Sequence, residues 1–352
     1  MKSSARKAGQ ALRSPSAISG STGVPVLRVA FQGEPGAFSE EAARRLLGPT
    51  VRTVPRPTFE SLFDAVRVRR GSEEQDRPGG LSYLADCILV PLENSLAGAI
   101  QRNYDLLLAS GLRISGEVVL PIAHHLIGCP GARAQRIATV QSHPVALAQC
   151  ERFFAANPHF ARVAADDTAG SVREIVERGD PRRAAIGSEY AASLYGGRIL
   201  RRHVEDHREN YTRFVLAMPS RVAATFRSPL LAGASRQRGG LKAAATPADK
   251  VSLVFELRHR PGALCRALES FASRGLNLMK IESRPIPGRP WEYRFYVDLR
   301  ISPARATNGS AASDSAQEKL SAALTELKRA TTRLHLLGQY ASSRGNGHGH
   351  NQ

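Results

Sequence analysis

Short apolar runs, each followed by a polar turn and an amphipathic stretch, recur through residues 27–218. The runs have the length of buried strands, and the stretch after the first one, 38–47, has apolar positions at helical spacing. This order predicts a largely parallel α/β sheet, in which ligands bind beyond the carboxyl ends of the strands. We therefore look for function in the polar turns. The apolar runs lie at 26–31, 87–90, 137–140 and 183–187.

Residues 251–340 follow a different order of elements. The pattern there predicts strands at 251–258, 276–283, 292–301 and 333–340, and helices at 262–274 and 317–330. The resulting βαββαβ order is typical of a ferredoxin-like domain. Residues 303–316, rich in Ala and Ser, are predicted to form an inserted loop.

Three segments have no apolar period. They are predicted to be a disordered basic arm at 1–26, a basic linker at 219–249 and a disordered tail at 342–352. Between them lie a first domain at 27–218 and a second domain at 250–341.

The net charge is strongly positive. The chain of 352 residues has 49 Lys and Arg against 31 Asp and Glu, a formal charge of +18. Such a charge is typical of nucleic-acid-binding proteins. However, nine of the excess positive charges lie in 1–26 and 219–248, without the interleaved aromatic side chains of a base-stacking platform. We therefore expect no nucleic-acid partner.

The apolar runs and the cysteines bear on the cellular compartment. No run approaches the roughly 18 apolar residues of a membrane-spanning helix, and the basic arm is not followed by the apolar stretch of a secretory signal. The four cysteines are too widely spaced to suggest a zinc site or a disulfide framework. We expect a cytoplasmic protein with no membrane contact.

Three polar turns of the first domain precede predicted helices, and a helix N-terminus favours an anion. The alternative is that Ser39, Ser142 and Asp167 or Thr168 only cap these helices, as such residues commonly do. Three such turns at strand ends favour the anion interpretation. The turns are Gly33 to Ser39, Ser142 to Pro144 and Asp166 to Ala169.

Other polar motifs are weaker. Gly33 and Gly36 lack the spacing of a dinucleotide-binding fingerprint. His124 and His125 are adjacent, and neighbours on a strand point to opposite faces, so a structural role is favoured over a metal pair. We expect neither a metal nor a cofactor.

Five blocks, in order along the chain, resemble those of the prephenate dehydratases and the similar arogenate dehydratases. Two further motifs, Gly262 to Leu264 and Ile281 to Pro285, resemble the phenylalanine-sensing motifs of the ACT domain attached to these enzymes. The resemblance covers residues 27–218 and 250–341. It implies a two-lobed catalytic domain, similar to periplasmic binding proteins, followed by a ferredoxin-like ACT domain. The five blocks lie at 31–39, 91–98, 142–150, 167–169 and 210–214.

The implied activity is that of a carbon–oxygen lyase, which removes carbon dioxide and hydroxide from prephenate to give phenylpyruvate on the route to L-phenylalanine. By resemblance, Thr212 donates a proton or a hydrogen bond to the leaving hydroxyl, directly, through water or from Glu93. Arg213 fixes a carboxylate or the strand, and Phe214 packs against the ring or the wall. Gln149 binds substrate or only bridges the lobes. The implied catalytic residues are Thr212, Glu93 and Asn94, and the implied substrate-binding residues are Ser39, Ser95, Ser142, Gln149, Thr168, Arg213 and Phe214.

The ACT resemblance implies feedback regulation by L-phenylalanine bound between two copies of the domain. That arrangement requires an oligomer, a homodimer or a homotetramer, and couples two distant sites. The implied contacts are Gly262, Ala263, Leu264, Glu282, Ser283 and Arg284.

Two alternatives stay open at this point. Arogenate differs from prephenate by an ammonium group, and the sequence does not discriminate between the two substrates. A non-catalytic amino-acid-sensing or solute-binding protein would have the same two-lobed shape.

Overall fold

A computed structural model describes residues 26–67, 84–220, 222, 248–301 and 311–343. Residues 1–25 of the predicted arm, 221 and 223–247 of the linker, 302–310 of the inserted loop and 344–352 of the tail lie outside the described residues. The described part contains three β-sheets. None of its helices is long and apolar enough to cross a membrane.

The first lobe is built on a sheet of six strands in the order β2-β1-β3-β11-β5, with β4 paired to β3. Its long strands have apolar, buried centres, and α1 packs its apolar face on one side of the sheet. The strands are β1 (Arg28–Gln32), β2 (Arg52–Arg56), β3 (Cys87–Asn94), β4 (Gly98–Ala99), β5 (Arg113–Pro121) and β11 (Tyr211–Met218), and the helices are α1 (Phe38–Leu47), α2 (Phe59–Asp64) and α3 (Gln101–Ser110).

The second lobe has five strands in the order β10-β6-β9-β7-β8 and its own apolar core. The strands are β6 (His125–Gly128), β7 (Thr139–Ser142), β8 (Ala161–Ala164), β9 (Arg183–Gly187) and β10 (Arg198–Arg201), and the helices are α4 (Pro144–Ala148), α5 (Glu151–Ala155), α6 (Thr168–Arg178) and α7 (Glu189–Tyr195), with a 3-10 turn at Ala134–Arg136.

The prediction of a largely parallel sheet is only half correct. Strands β1, β2 and β3 are parallel to one another, as are β7, β8 and β9. In contrast, β11 is antiparallel to β3 and β5, and β6 is antiparallel to β9 and β10. The chain crosses between the lobes twice, after β5 and after β10, and the strand that follows each crossing, β6 or β11, runs against both of its neighbours in the sheet.

The third sheet is antiparallel, in the order β13-β14-β12-β15 of a ferredoxin-like domain. The last helix begins six residues earlier than predicted, so 311–316 is helix instead of loop. Alanine has the highest helix propensity, which explains how an Ala-rich segment extends the helix. The elements are β12 (Lys250–Glu256), α8 (Ala263–Ala272), β13 (Asn277–Ile286), β14 (Arg289–Arg300), α9 (Ala311–Ala330) and β15 (Arg333–Tyr340).

The third sheet lies in the segment that resembles an ACT domain, and we call it the ACT sheet. It packs directly on the first lobe. Its outer face is covered by α8 and α9, whereas Val254, Tyr296 and Leu337 on the inner face share one apolar core with Ile114 of β5. Gly338 of β15 lies against the Ile114 backbone: a Cβ at this position would lie 2.9 Å from the Ile114 carbonyl carbon and closer still to its oxygen. Only glycine permits this approach.

Candidate active site

Asn94 and Thr212 lie side by side at the ends of β3 and β11, where the strands pair directly. The Asn94 Nδ2 donates to Thr212 Oγ1 at 3.0 Å, and Thr212 is only 9% exposed. The Asn94 Oδ1 accepts the backbone N–H groups of Leu96 and Ala97, at 3.0 and 2.8 Å, which fixes the orientation of the amide. The Thr212 hydroxyl therefore accepts from Asn94 and keeps its own proton for another acceptor.

A chain of amides connects this pair to the second lobe. The Asn94 Nδ2 also donates to Asn210 Oδ1 at 2.6 Å, and the Asn210 Nδ2 donates to Gln149 Oε1 at 3.3 Å. The same Gln149 oxygen lies 2.9 Å from His124 Nε2. Gln149 directly follows α4 of the second lobe, while His124 and Asn210 belong to the two crossings. Gln149 therefore bridges the lobes next to Thr212, as one of its two predicted roles requires.

His124 closes this chain of hydrogen bonds. Burial lowers its pKa, which favours the neutral ring, and the Nε2 proton is then donated to the Gln149 oxygen. Its Nδ1 is buried without a hydrogen-bond partner among the described residues. The ring also meets Phe38, the first residue of α1, edge-on at 5.9 Å between centroids. His125 points elsewhere and accepts the His203 N–H, as strand alternation predicts.

The first and third polar turns meet across the lobes. Gly33 packs near the carboxylate of Asp167, and the Glu34 carboxylate binds Arg173 of α6 at 2.8 Å. The Tyr195 hydroxyl donates to the Pro35 carbonyl at 2.5 Å. These two turns are therefore neighbours in the structure.

Only one of the predicted helix caps forms. The Asp167 Oδ1 accepts the Gly170 N–H at 2.6 Å and caps α6, whose first residue is the half-buried Thr168. Burial raises the pKa of Asp167. Its carboxyl group already occupies the first turn of α6, so this helix end offers less to an external anion than the sequence suggested.

Ser39 and Ser142 do not cap helices, contrary to the expectation. Ser39 lies inside α1, whose N-cap is Ala37 and which has no capping side chain. Ser142 ends β7 and is fully buried, and its hydroxyl donates to the Ile186 carbonyl at 2.7 Å. A serine close to a helix start is a cap only if the chain enters the helix there. The N-cap of α1 lies two residues before Ser39, and the N-cap of α4 lies one residue after Ser142.

Ser95 binds the backbone of the second crossing. Its hydroxyl donates to the Glu209 carbonyl at 3.1 Å and accepts the Tyr211 N–H at 2.9 Å. These bonds fasten the segment before Thr212 to the end of β3. Ser95 therefore supports the site through the backbone, while its predicted contact with substrate stays a prediction.

Glu93 and Arg213 face away from Asn94 and Thr212, because successive residues of a strand point to opposite faces. The Glu93 carboxylate binds Lys280 of the ACT sheet at 3.0 Å. The proposed proton relay from Glu93 to Thr212 has no support in this geometry. Arg213 binds Glu117 and residues of the ACT sheet, which agrees with its alternative role of fixing the strand and not with a bond to a substrate carboxylate.

Phe214 is 2% exposed and packs in the core of the first lobe, among residues of β1 and β3. Its side chain belongs to the wall beneath the site and not to a surface that a substrate ring could reach. This removes one of the two roles that the sequence left open for it.

The sequence argument missed Asn210 and His124 as members of the site. Asn210 stands at the start of the last resembling block, and an Asn directly before a strand that carries a candidate catalytic residue is a usable signal. His124 had no such signal, because its partner Gln149 is distant in sequence and reaches it only through the fold.

The ACT residues divide between two faces. Gly262 has a φ of 71° at the N-cap of α8, and Ala263 and Leu264 line a pocket of about 110 Å³ beside Trp291 and Tyr293. On β13, Ser283 pairs with Phe295 on the face that carries the helices. Glu282 and Arg284 lie on the opposite face.

Arg284 has partners in the first lobe of its own chain. Its guanidinium binds the Asp105 carboxylate at 2.9 Å and also the Gln101 side chain. Arg284 and Glu282 are therefore not brought together with Ala263 and Leu264, whereas Ser283 lies on their side of the sheet. In the described part of the chain, no group of three His, Cys, Asp or Glu residues could hold a metal ion.

Comparison with known proteins agrees with this architecture. A family model described as Prephenate dehydratase matches residues 29–220. Arogenate dehydratase 1 of Petunia hybrida is 38% identical over 344 residues, which cover 93% of this chain and 69% of the relative. The prephenate dehydratase of Arthrobacter aurescens, solved in complex with L-Phe, is 29% identical, with a TM-score of 0.66 and 90% of each chain covered.

Another solved structure, described as GqqA, a novel type of quorum quenching acylase, is 31% identical. Its TM-score is 0.67, with 90% of this chain and 98% of that chain covered. The predicted fold class, a two-lobed α/β catalytic domain followed by an ACT domain, is confirmed. The chain belongs to the prephenate dehydratase family, whose relatives include arogenate dehydratases.

Proposed function

We propose that this protein catalyses the decarboxylative dehydration of prephenate to phenylpyruvate. The observation that carries the proposal is the Thr212 hydroxyl, buried where the two lobes meet and accepting a hydrogen bond from Asn94. In this reaction the ring carboxylate leaves as carbon dioxide and its bonding electrons enter the ring. The ring hydroxyl leaves with its own bonding electrons and needs a proton to become water.

Thr212 supplies the hydrogen bond that this leaving group requires. A threonine hydroxyl is a weak acid, so full proton transfer from it is unfavourable. The hydrogen bond that the hydroxyl accepts from the Asn94 amide polarises it and makes it a better donor, because hydrogen bonds in a chain strengthen one another. Aromatisation of the ring provides the driving force, and the proton of the product water comes from solvent.

The two carboxylates of prephenate need positive partners, but these partners must not stabilise the ring carboxylate, which has to leave as carbon dioxide. Helix α1 begins without a capping side chain, so the N–H groups of Phe38 and Ser39 are open to an anion, whereas those of the next two residues bond to the Ala37 carbonyl. Its first residue, Phe38, touches His124 and so lies beside the amide chain. We place the side-chain carboxylate there, next to Ser39, and we propose that the Thr168 hydroxyl at the start of α6 also binds it.

Arogenate is the second candidate substrate, since the relatives include enzymes described as arogenate dehydratases.

The acylase relative suggests another chemistry, but acyl transfer to a hydroxyl nucleophile needs a neighbouring base. The Thr212 hydroxyl instead accepts from an amide donor. A sensor without catalysis would release no product.

We further propose that L-phenylalanine inhibits the enzyme at the ACT domain. The pocket beside Ala263 and Leu264, about 110 Å³, is smaller than the roughly 300 Å³ of ordinary ligand pockets. Exposed Trp291 and Tyr293 border it, at 77% and 38% exposure. A second copy of the domain, contributing Ser283, would complete the pocket. We also propose a cytoplasmic location, because the spacing of the four cysteines suggests no disulfide framework.

The experiment compares the formation of phenylpyruvate from prephenate and of phenylalanine from arogenate, with the wild type, Thr212→Ala and Thr212→Ser. We expect Thr212→Ala to lower kcat by about 10²-fold or more, and Thr212→Ser, which keeps the hydroxyl, to retain most of the activity. Near-normal turnover by a folded Thr212→Ala variant would contradict the mechanism. Millimolar L-phenylalanine that changes neither the rate nor the oligomer size would contradict the regulation.

A further inference from the structure

An ion cluster lies between the first lobe and the ACT sheet, on the opposite face of β3 and β11 from the active site. Three acids and three bases balance its charge. The closest contacts join Arg213 to Asp298 at 2.5 Å, Arg213 to Glu117 at 2.8 Å and Lys250 to Glu117 at 2.9 Å. We call it the interdomain ion cluster, and its members are Glu93, Glu117, Arg213, Lys250, Lys280 and Asp298.

Arg213 is the centre of the interdomain ion cluster. Its side chain is 10% exposed, and its guanidinium binds Glu117 of β5 on one side and Asp298 of β14 on the other. The Tyr340 hydroxyl of β15 accepts a further hydrogen bond from it at 2.8 Å and also contacts Ser252 at 2.6 Å. Two of the three groups that bind the guanidinium most closely therefore belong to the ACT sheet.

The position of Arg213 in the strand gives these contacts a consequence. Arg213 directly follows Thr212, and the pairing of β11 with β3 becomes irregular just beyond it. Arg213 is opposite Glu93, but Phe214 is opposite Pro91, so Leu92 is an extra residue on β3. A β-bulge of this kind disrupts the ladder locally and re-aims neighbouring side chains. The side-chain bonds of Arg213 hold β11 at the point where its backbone pairing with β3 is irregular, while its pairing with β5 on the other edge is regular there.

We propose that Arg213 is a positioning residue for Thr212, and that Asp298 and Tyr340 of the ACT sheet act through it to set the activity even without phenylalanine. This rests on the proposed dehydratase function. The ACT sheet would then be a structural part of the catalytic unit as well as a regulatory site. A small displacement of the Thr212 hydroxyl is costly, since an error of about 1 Å at a reacting group can lower a rate by about 10²-fold.

The test uses the full-length chain and two isosteric variants of the same interface. Asp298→Asn removes one charge from the interdomain ion cluster. Asp105→Asn, the matched control, removes the charge that binds Arg284, at the same interface but on α3 and not beside β11. We expect Asp298→Asn to lower kcat by about 10-fold or more with KM changed less than about 3-fold. Asp105→Asn should keep kcat within about 2-fold of the wild type.

A second variant covers the case in which Asp298→Asn does not fold. Tyr340→Phe removes only the hydroxyl that accepts from Arg213, and we expect kcat to fall about 3- to 10-fold, again with KM nearly constant. Asp298→Glu, which keeps the charge, should recover part of the activity. Thermal unfolding of all variants separates a loss of kcat from a loss of folded protein.

The outcomes are distinguishable. Equal kcat values for Asp298→Asn, Tyr340→Phe and Asp105→Asn in an active wild-type background would overturn the positioning role and leave the proposed function intact. A rise in KM alone would also overturn it, because substrate binding and not the position of Thr212 would have changed. An inactive wild type on both prephenate and arogenate would overturn the proposed function and, with it, this inference.

Discussion

Asn94→Asp is the most informative single substitution at the site. It keeps the size of the side chain and its acceptor oxygen, and it replaces only the NH₂ donor with a second acceptor. A carboxylate can still accept the N–H groups of Leu96 and Ala97, so the turn after β3 should persist. It cannot donate to Asn210, to Thr212 or to the Tyr211 carbonyl, and these bonds of the two amide N–H groups are lost.

The expected magnitude follows from the two N–H groups that the substitution removes. Each hydrogen bond contributes about 0.5–1.5 kcal/mol net, so their loss should lower the free energy of unfolding by about 1–3 kcal/mol. The effect on catalysis is larger. The Thr212 hydroxyl would rotate and donate its proton to the new carboxylate, and this proton would no longer reach the leaving group. We expect kcat to fall by about 10²-fold or more.

The assay measures kcat, KM and urea unfolding for Asn94→Asp beside Asn157→Asp. Asn157 donates one hydrogen bond to the Phe153 carbonyl at the end of α5, remote from the site. The control should lose about 0.5–1.5 kcal/mol of stability and keep its kcat. A kcat of Asn94→Asp within about 3-fold of the wild type would refute the claim that Asn94 keeps the Thr212 proton available.

Three other outcomes are expected. Gly338→Ala should lower the free energy of unfolding by about 1–3 kcal/mol in urea, because its new methyl group would meet the Ile114 backbone. Gly170→Ala, whose methyl group would make ordinary contacts in a helix, should instead raise it by about 0.5–1 kcal/mol. Burial holds the pKa of His124 below its usual 6.5, so the unfolded chain binds this proton more readily and stability should fall as pH drops from about 7 to 5. His124→Gln should flatten that fall, leaving a smaller dependence from His125, whose pKa burial also lowers; an unchanged slope would contradict the assignment.

The sequence identified the two side chains at the centre of the site, but it did not predict which groups the residues beside them contact. The family resemblance singled out Asn94 and Thr212, and both lie at strand ends. Strand alternation alone separates Glu93 from Asn94, and this rule was available before the structure. What Glu93 binds instead depends on which strands pair and on where the ACT sheet packs, and contacts across such sequence distances leave no local signal.

The N-terminal ends of the helices show a second limit of prediction from sequence. Asp167 was one of two predicted caps for α6 and is the residue that forms it. Ser39 and Ser142 can also accept a backbone N–H group, but Ser39 lies two residues after the N-cap of α1 and Ser142 lies one residue before the N-cap of α4. Cap identity depends on the backbone conformation of a single residue, and tertiary packing decides that conformation.

The position of β11 between β3 and β5 affects how the chain is made. During synthesis, both of these strands leave the ribosome long before residue 211, and the whole second lobe is translated between them and their shared partner. Until then each has an unpaired edge of the kind that promotes aggregation. The sheet of the nascent first lobe is therefore incomplete, with the position between β3 and β5 empty. A chaperone or the lobe itself must protect these strand edges until β11 pairs with them.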